Sequence, residues 1–251
     1  MQRDGASGTD WRDAASYAAL SEADRSLFAW EWLRRSPRYA AAARGMDGGG
    51  ADAAAKFGLV RFEAPQLAVP HARPLWSAQV HPHVLPVERG PAGRPEDSFD
   101  LADFGAIATL FAGGGAEHLL LSDGLRTVRL DGAPGTFSHG PVCLAYRLHG
   151  AGAAERPLLT LRRFLSLCRS GRFSSSLHPR EARARRWILV LRAADALAAG
   201  AGQREIASEL LSRTAGEPQW RSREPSVRSQ AQRLVASARS FARGGYRSLL
   251  G

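Results

Sequence analysis

Cysteine is nearly absent from this sequence, with only Cys143 and Cys168 among 251 residues. Two thiols exclude the disulfide framework of a small secreted domain. With no Cys or His partners at ligand spacing they also exclude a structural zinc site, and both read as reduced thiols. Lysine is scarcer still: Lys56 is the only one, and every other basic side chain besides histidine is arginine. No stretch reaches the roughly 18 to 20 uninterrupted apolar residues that a membrane span needs, and the polar run after Met1 lacks the apolar core of a signal peptide. The expected location is therefore cytoplasmic, with no membrane partner. Catalytic motifs are missing too. No G-x-x-x-x-G-K-[ST] phosphate loop occurs, the glycine runs at 48–50 and 113–115 lack a following lysine and read as linkers or turns, and there is no G-x-S-x-G elbow. His81 and His83 in "VHPHV", with His71 upstream, have no acidic or thiol partner at ligand spacing. Cys143 sits among apolar strand residues and reads as core rather than nucleophile. The sequence predicts neither an enzyme nor a bound metal or cofactor.

What is present begins with enough apolar material, 44% of 251 residues, for one sizeable core or two small ones. The formal charge is +10, and it is unevenly placed: residues 161–251 hold 18 arginines against six carboxylates, a balance of +12, leaving −2 for the first 160 residues. A positive field confined to one end attracts polyanions, nucleic acid foremost.

Along the chain the pattern is α+β, without internal repeats. Residues 10–63 read as an N-terminal helical domain. In "LSEADRSLFAWEWLRRSP", Ser21 and Asp24 have capping-box spacing and Ser36-Pro37 is a stop. Leu27, Phe28, Trp30, Trp32 and Leu33 supply more apolar surface than one face needs, which predicts core packing, with a docking surface for a partner as the competing reading. "RGMDGGGADAAAKFG" reads as a flexible joint. Residues 64–99 read as an extended linker with at most an edge strand, since seven of the fourteen prolines fall within 64–98. Residues 100–176 read as a small antiparallel β-meander and a connecting helix: a hairpin about Asp123-Gly124, then "PVCLAYRL" as its third strand. Residues 177–251 read as a helix-turn-helix-like domain. Its first helix opens at Pro179, closes at Gly200 and carries a stripe of Trp187, Val190, Leu191, Ala194 and Leu197, with Arg183 and Arg186 off that stripe.

"QREIASEL" places small Ala207 between Ile206 and Leu210, as a helix crossed closely by another requires. In "SVRSQAQRLVASARSFARGG", Val227, Ala231, Leu234, Val235, Ala238 and Phe241 fall within an arc of about 120° at helical spacing. The opposite face is Arg, Gln and Ser, with Arg228, Gln232, Arg239 and Arg243 in one row, Ser229, Arg233 and Ser240 in the next, and no acidic residue from 226 to 245. A helix built only for solubility mixes signs for i,i+4 pairs. Arginine and glutamine suit the edges of guanine and adenine, and serine and further arginines suit phosphates. The expected contacts to double-stranded DNA are Ser226, Arg228, Ser229, Gln232 and Arg233 in the major groove, with Arg204, Arg213, Arg221 and Arg223 on the backbone. The connection "SRTAGEPQWRSREP" is longer than the three or four residues usual in such motifs, and Trp220 is expected to anchor it.

The runs "LHPREARARRWILVLRAADALAAGAGQREIASELL" and "SVRSQAQRLVASARSFARGGYRSLL" resemble the C-terminal DNA-binding domain of a proteobacterial family of transcription activators, the RovC/FseA-like family, which includes regulators of type VI secretion. "WRDAASYAALSEADRSLFAWEWLRRSPRYAAA" is similar to the helical, transcriptional-regulator-like domain often fused to it. Where that family often has Ser before "QREIA", this chain has Gly202, a weaker helix cap. The resemblance implies an activator that binds promoter DNA, self-associates as a homo-oligomer and helps recruit RNA polymerase. It also implies that short relatives act as antiactivator proteins. A competing reading is a protein-interaction regulator that binds another transcription factor and not DNA.

Overall fold

The computed structural model describes residues 9–45, 50–216 and 224–251. The capping box expected at Ser21 does not form. Residues Ala15–Glu22 wind as a 3-10 helix, the chain extends at Ala23 and Asp24, and α1 runs Arg25–Leu33. Asp24 stands at the N-cap, but its carboxylate accepts from the backbone N–H and the hydroxyl of Thr127, at 2.8 and 3.1 Å, so it fastens the helix to the sheet instead of capping it. Ser36 then caps α2 (Pro37–Arg44), accepting from the Tyr39 N–H, and Pro37 occupies a first helical position, where a missing N–H costs nothing.

Every residue of α1 from Ser26 to Leu33 is buried. A helix apolar all round must be enclosed by the rest of the chain. Phe28 meets Trp187 edge-on at 5.2 Å, Trp30 meets Tyr39 at 5.6 Å, and Trp32 lies against Phe241 at 5.1 Å. The core-packing reading of the aromatic helix therefore stands. Glu31, 3% exposed inside this helix, pairs with Arg34 and Arg35 and accepts from the Val69 N–H. Burial alone would raise its pKa, and those three partners outweigh it and hold the carboxyl below its usual range. Of the expected joint, residues 46–49 lie outside the described residues, and its second half joins the same core: α3 spans Ala51–Ala55, and Ala54 and Phe57 are buried, as is Leu59 just beyond.

The central region is a six-stranded mixed sheet, not a small antiparallel meander. In order of appearance the strands are β1 (Val84–Arg89), β2 (Ser98–Phe99), β3 (Ala108–Gly113), β4 (Ala116–Ser122), β5 (Thr127–Gly132) and β6 (Val142–Tyr146). They lie in the order β2-β6-β1-β5-β4-β3. The expected hairpin is present, with β4 and β5 paired from Ser122↔Thr127 and Gly124 at φ +96°, a conformation that glycine adopts without strain. Gly114 and Gly115 make the turn of a second hairpin, β3–β4. "PVCLAYRL" does form a strand, β6, but it does not complete the meander, because the free edge of β5 is taken by β1, running parallel to it. β6 pairs instead with β1 and β2.

Strand β1 comes from the stretch expected to be linker, and Pro86 sits inside it. Proline is tolerated because β1 changes partners there: Val84 to Pro86 face β5, and Val87 to Arg89 face β6. The Pro86 carbonyl still accepts from the Arg147 N–H at 3.0 Å, while its missing donor falls just past the end of the β6 ladder.

Helix α4 (Ala151–Ser170) lies over the sheet, with Phe164 and Leu167 joining Leu85, Leu119 and Leu130 in a second core. Helix α5 begins at Ala184 and not at Pro179. Residues 177–183 are held out of the helix by contacts elsewhere: the Leu177 carbonyl accepts from Arg163, Arg180 pairs with Glu22 and Glu181 with Arg25. The stripe on α5 is as expected, with Trp187, Val190 and Leu191 buried and Ala194 and Leu197 packed on the core edge, and Gly200 closes the helix at φ +85°. Helices α6 (Gln203–Leu210) and α7 (Pro225–Ala242) follow. After them Gly244 turns at φ +111°, and Tyr246, Leu249 and Leu250 insert into the core around α1. One core thus joins the first quarter of the chain to the last, with the sheet between them in sequence.

Candidate nucleic-acid interface

Helices α6 and α7 meet through their smallest side chains. Ala207 of α6, Ala231 of α7 and Ala215 of the 3-10 helix Arg213–Gly216 are each fully buried and pack together, closed by Leu211 and Val227. The expectation for Ala207 holds. Ala231 belongs to the stripe expected on α7; Ala215, which completes the contact, carries no signal in the sequence, because alanine is common in any helical stretch. Ala207→Leu adds three carbons to a space bounded by two alanines and should cost roughly 1–3 kcal/mol by overpacking. Thermal unfolding reads this directly, and an unchanged melting temperature would place the tight crossing elsewhere. The Gly202 cap supplies no side-chain acceptor.

The stripe on α7 is as expected: Ala231, Leu234, Val235 and Ala238 are buried, with Val227 and Phe241 half-buried beside them. Packing this stripe fixes the other face. Ser226, Arg228, Gln232 and Arg233 are exposed along the first half of the helix, Ser229 is half-buried, and Arg239 and Arg243 are exposed further on. Arg204 is exposed on α6 and Arg213 is exposed at the start of the 3-10 helix that follows. Arg221, Arg223 and Trp220 lie outside the described residues.

The arginines divide into two groups. Arg12, Arg25, Arg34, Arg35 and Arg180 are committed to ion pairs, with Glu205, Glu181, Glu31, Asp195 and Glu22 as their partners. Arg228, Arg233, Arg239 and Arg243 enter none of the ion pairs formed among the described residues. A row of guanidiniums without counter-charges, held by a well-packed helix, is arranged to receive phosphate and base acceptors.

Elsewhere the candidates separate. The His81 and His83 rings lie 5.3 Å apart, and no group of three or more His, Cys, Asp or Glu side chains able to hold a metal converges among the described residues. Both cysteines are free thiols, with Cys143 half-buried on β6. No described helix is long and apolar enough to cross a membrane.

The chain is a transcription factor with a DNA-binding domain, a non-enzymatic class of protein. Residues 151–251 match the family model described as the RovC-type T6SS transcription factor DNA-binding domain, and residues 10–61 match the proteobacterial transcriptional regulator-like domain. No curated protein and no solved structure matches it. The first match begins with α4, so the family's unit includes the helix that covers the sheet as well as the helices that carry the arginine face.

Proposed function

We propose that the protein activates transcription by binding promoter DNA in the cytoplasm through residues 177–251. The first half of α7 lies in the major groove: Arg228 and Gln232 read base edges, Ser226, Ser229 and Arg233 set the register, and Arg204, Arg213, Arg221 and Arg223 hold backbone phosphates. The observation that carries this reading is the exposed Arg/Gln face of α7, free of acidic residues from 226 to 245 and of ion pairs among the described residues, standing opposite a packed stripe. Self-association and contact with RNA polymerase follow from the family resemblance. The competing reading, a regulator that docks proteins and not DNA, loses its main support, because the aromatic side chains of α1 are buried within the chain.

Titration of a promoter duplex across a salt series tests the reading. Four neutralised phosphates alone give a slope of log K against log salt of about −3.6, and the groove-facing arginine adds to it. A flat response would replace DNA by a protein partner.

A further inference from the structure

A cleft of about 430 Å³ opens where four parts of the chain meet: the start of α1, the His81–His83 segment leading into β1, the middle of α4, and residues 179–182 ahead of α5. Its size falls within the range of roughly 300–1,000 Å³ usual for small-molecule sites. Its ionisable side chains are Arg25, Arg163, Arg180, His81 and His83 against Asp24 and Glu181, with Ser26, Thr127 and Gly251 also in the lining. Both carboxylates are already engaged, Asp24 with Thr127 and Glu181 with Arg25 at 2.5 Å, while Arg180 pairs with Glu22 at 2.7 Å.

Two groups are left over. Arg163 donates through Nε to the Leu177 carbonyl at 2.9 Å and reaches no carboxylate at ion-pair distance among the described residues, the Asp24 carboxylate acting on it from further away. Nδ1 of His83 is buried and has no hydrogen-bond partner among the described residues. The charges that act on His83 are of one sign. Burial lowers the pKa of His83, and the charges that add to the shift are all cationic: Arg163, Arg156 and Arg25. His81 is pushed down to about 4, chiefly by burial, with the Leu250 carbonyl 3.1 Å from its Nδ1 opposing the shift. A half-buried guanidinium with no carboxylate at ion-pair distance among the described residues and a buried imidazole nitrogen without a hydrogen bond favour a ligand that brings negative charge and acceptor oxygens.

We propose that this cleft binds a small oxyanion ligand, a metabolite bearing a phosphate or carboxylate group, through Arg163 and His83. The cleft touches the first helix of the N-terminal domain, the helix over the sheet and the segment that leads into α5. A ligand there ties these parts together and acts as an effector of the helices beyond. That regulatory consequence rests on the DNA-binding reading; the binding itself does not.

Thermal unfolding of the full chain, with inorganic phosphate in one arm and succinate in another, both at ionic strength matched by sodium chloride, tests the site. Binding should raise the melting temperature saturably, by about 5 °C at an excess of ligand, and the effective arm names the ligand class. Arg163→Gln and His83→Gln should each abolish the shift. His83→Gln removes an atom that makes no hydrogen bond, so it leaves the fold in place to be measured even if Arg163→Gln does not. Arg228→Ala should keep the full shift, whether or not α7 binds DNA, which separates the two readings. A melting temperature that responds to both anions as it does to sodium chloride, or a shift that survives His83→Gln unchanged, would overturn the assignment.

Discussion

Asp195→Ala should destabilise the protein by about 3–5 kcal/mol, the usual consequence of removing one partner from a mostly buried ion pair. Asp195 lies on α5, and its carboxylate accepts from Nε and Nη2 of Arg35 at 2.7 and 2.9 Å and from the Tyr17 hydroxyl at 2.6 Å. This is the fork geometry in which guanidinium and carboxylate bind most strongly. The Tyr17 ring is 1% exposed, and burial first, then the bond to Asp195, push its pKa up. Without the carboxylate, Tyr17 is left with a buried donor lacking an acceptor, and Arg35 retains Glu31 alone. The N-terminal helices are fastened to the DNA-binding domain at this point, so the whole unfolding transition should shift, by roughly 6–20 °C for a chain of this size. Asp195→Asn keeps one acceptor for Tyr17 and should lose less. A melting temperature within about 2 °C of wild type would show that the other contacts between the two regions hold them together without this cluster.

The double variant Arg228→Ala/Gln232→Ala should lose about 2–6 kcal/mol on the cognate duplex, roughly 1–3 kcal/mol for each base contact, and should change affinity for random duplex far less. Both side chains are exposed and outside the packed stripe, so the melting temperature should stay close to wild type. Arg213→Ala, by contrast, should weaken every sequence alike and lower the salt slope by about 0.9. Footprinting and competition with random DNA separate these effects. Equal losses on both duplexes for all three positions would move base reading to another surface.

The parts of this structure that could be read from sequence are those where local periodicity and packing agree. The α7 stripe, the α5 stripe, the Gly200 cap and the Asp123-Gly124 turn each depend on residues within one or two turns of one another. The failures are nonlocal. Ser21 and Asp24 have the spacing of a capping box, but Thr127, 103 residues away, offers Asp24 two donors and takes its carboxylate. Proline density marked 64–99 as linker, and nothing local announces that β1 will lie parallel to β5 or that Pro86 will fall where its donor is not needed. Pro179 has the look of a helix start, but the ion pairs of Arg180 and Glu181 with Glu22 and Arg25 hold that segment out of the helix. The exposure of the arginine face was legible because the opposite stripe is. The cleft was not, since its lining comes from segments scattered from Asp24 to Leu250.

The aromatic helix near the start of the chain and the last helices share one interior, and this governs how the molecule is born. Trp32 packs on Phe241, 209 positions later. At about 5–20 residues per second the ribosome needs roughly 10–40 s to deliver that partner. Throughout that interval Trp32 waits for Phe241, while Trp30 already has Tyr39, so this core closes in stages and is completed last at Trp32.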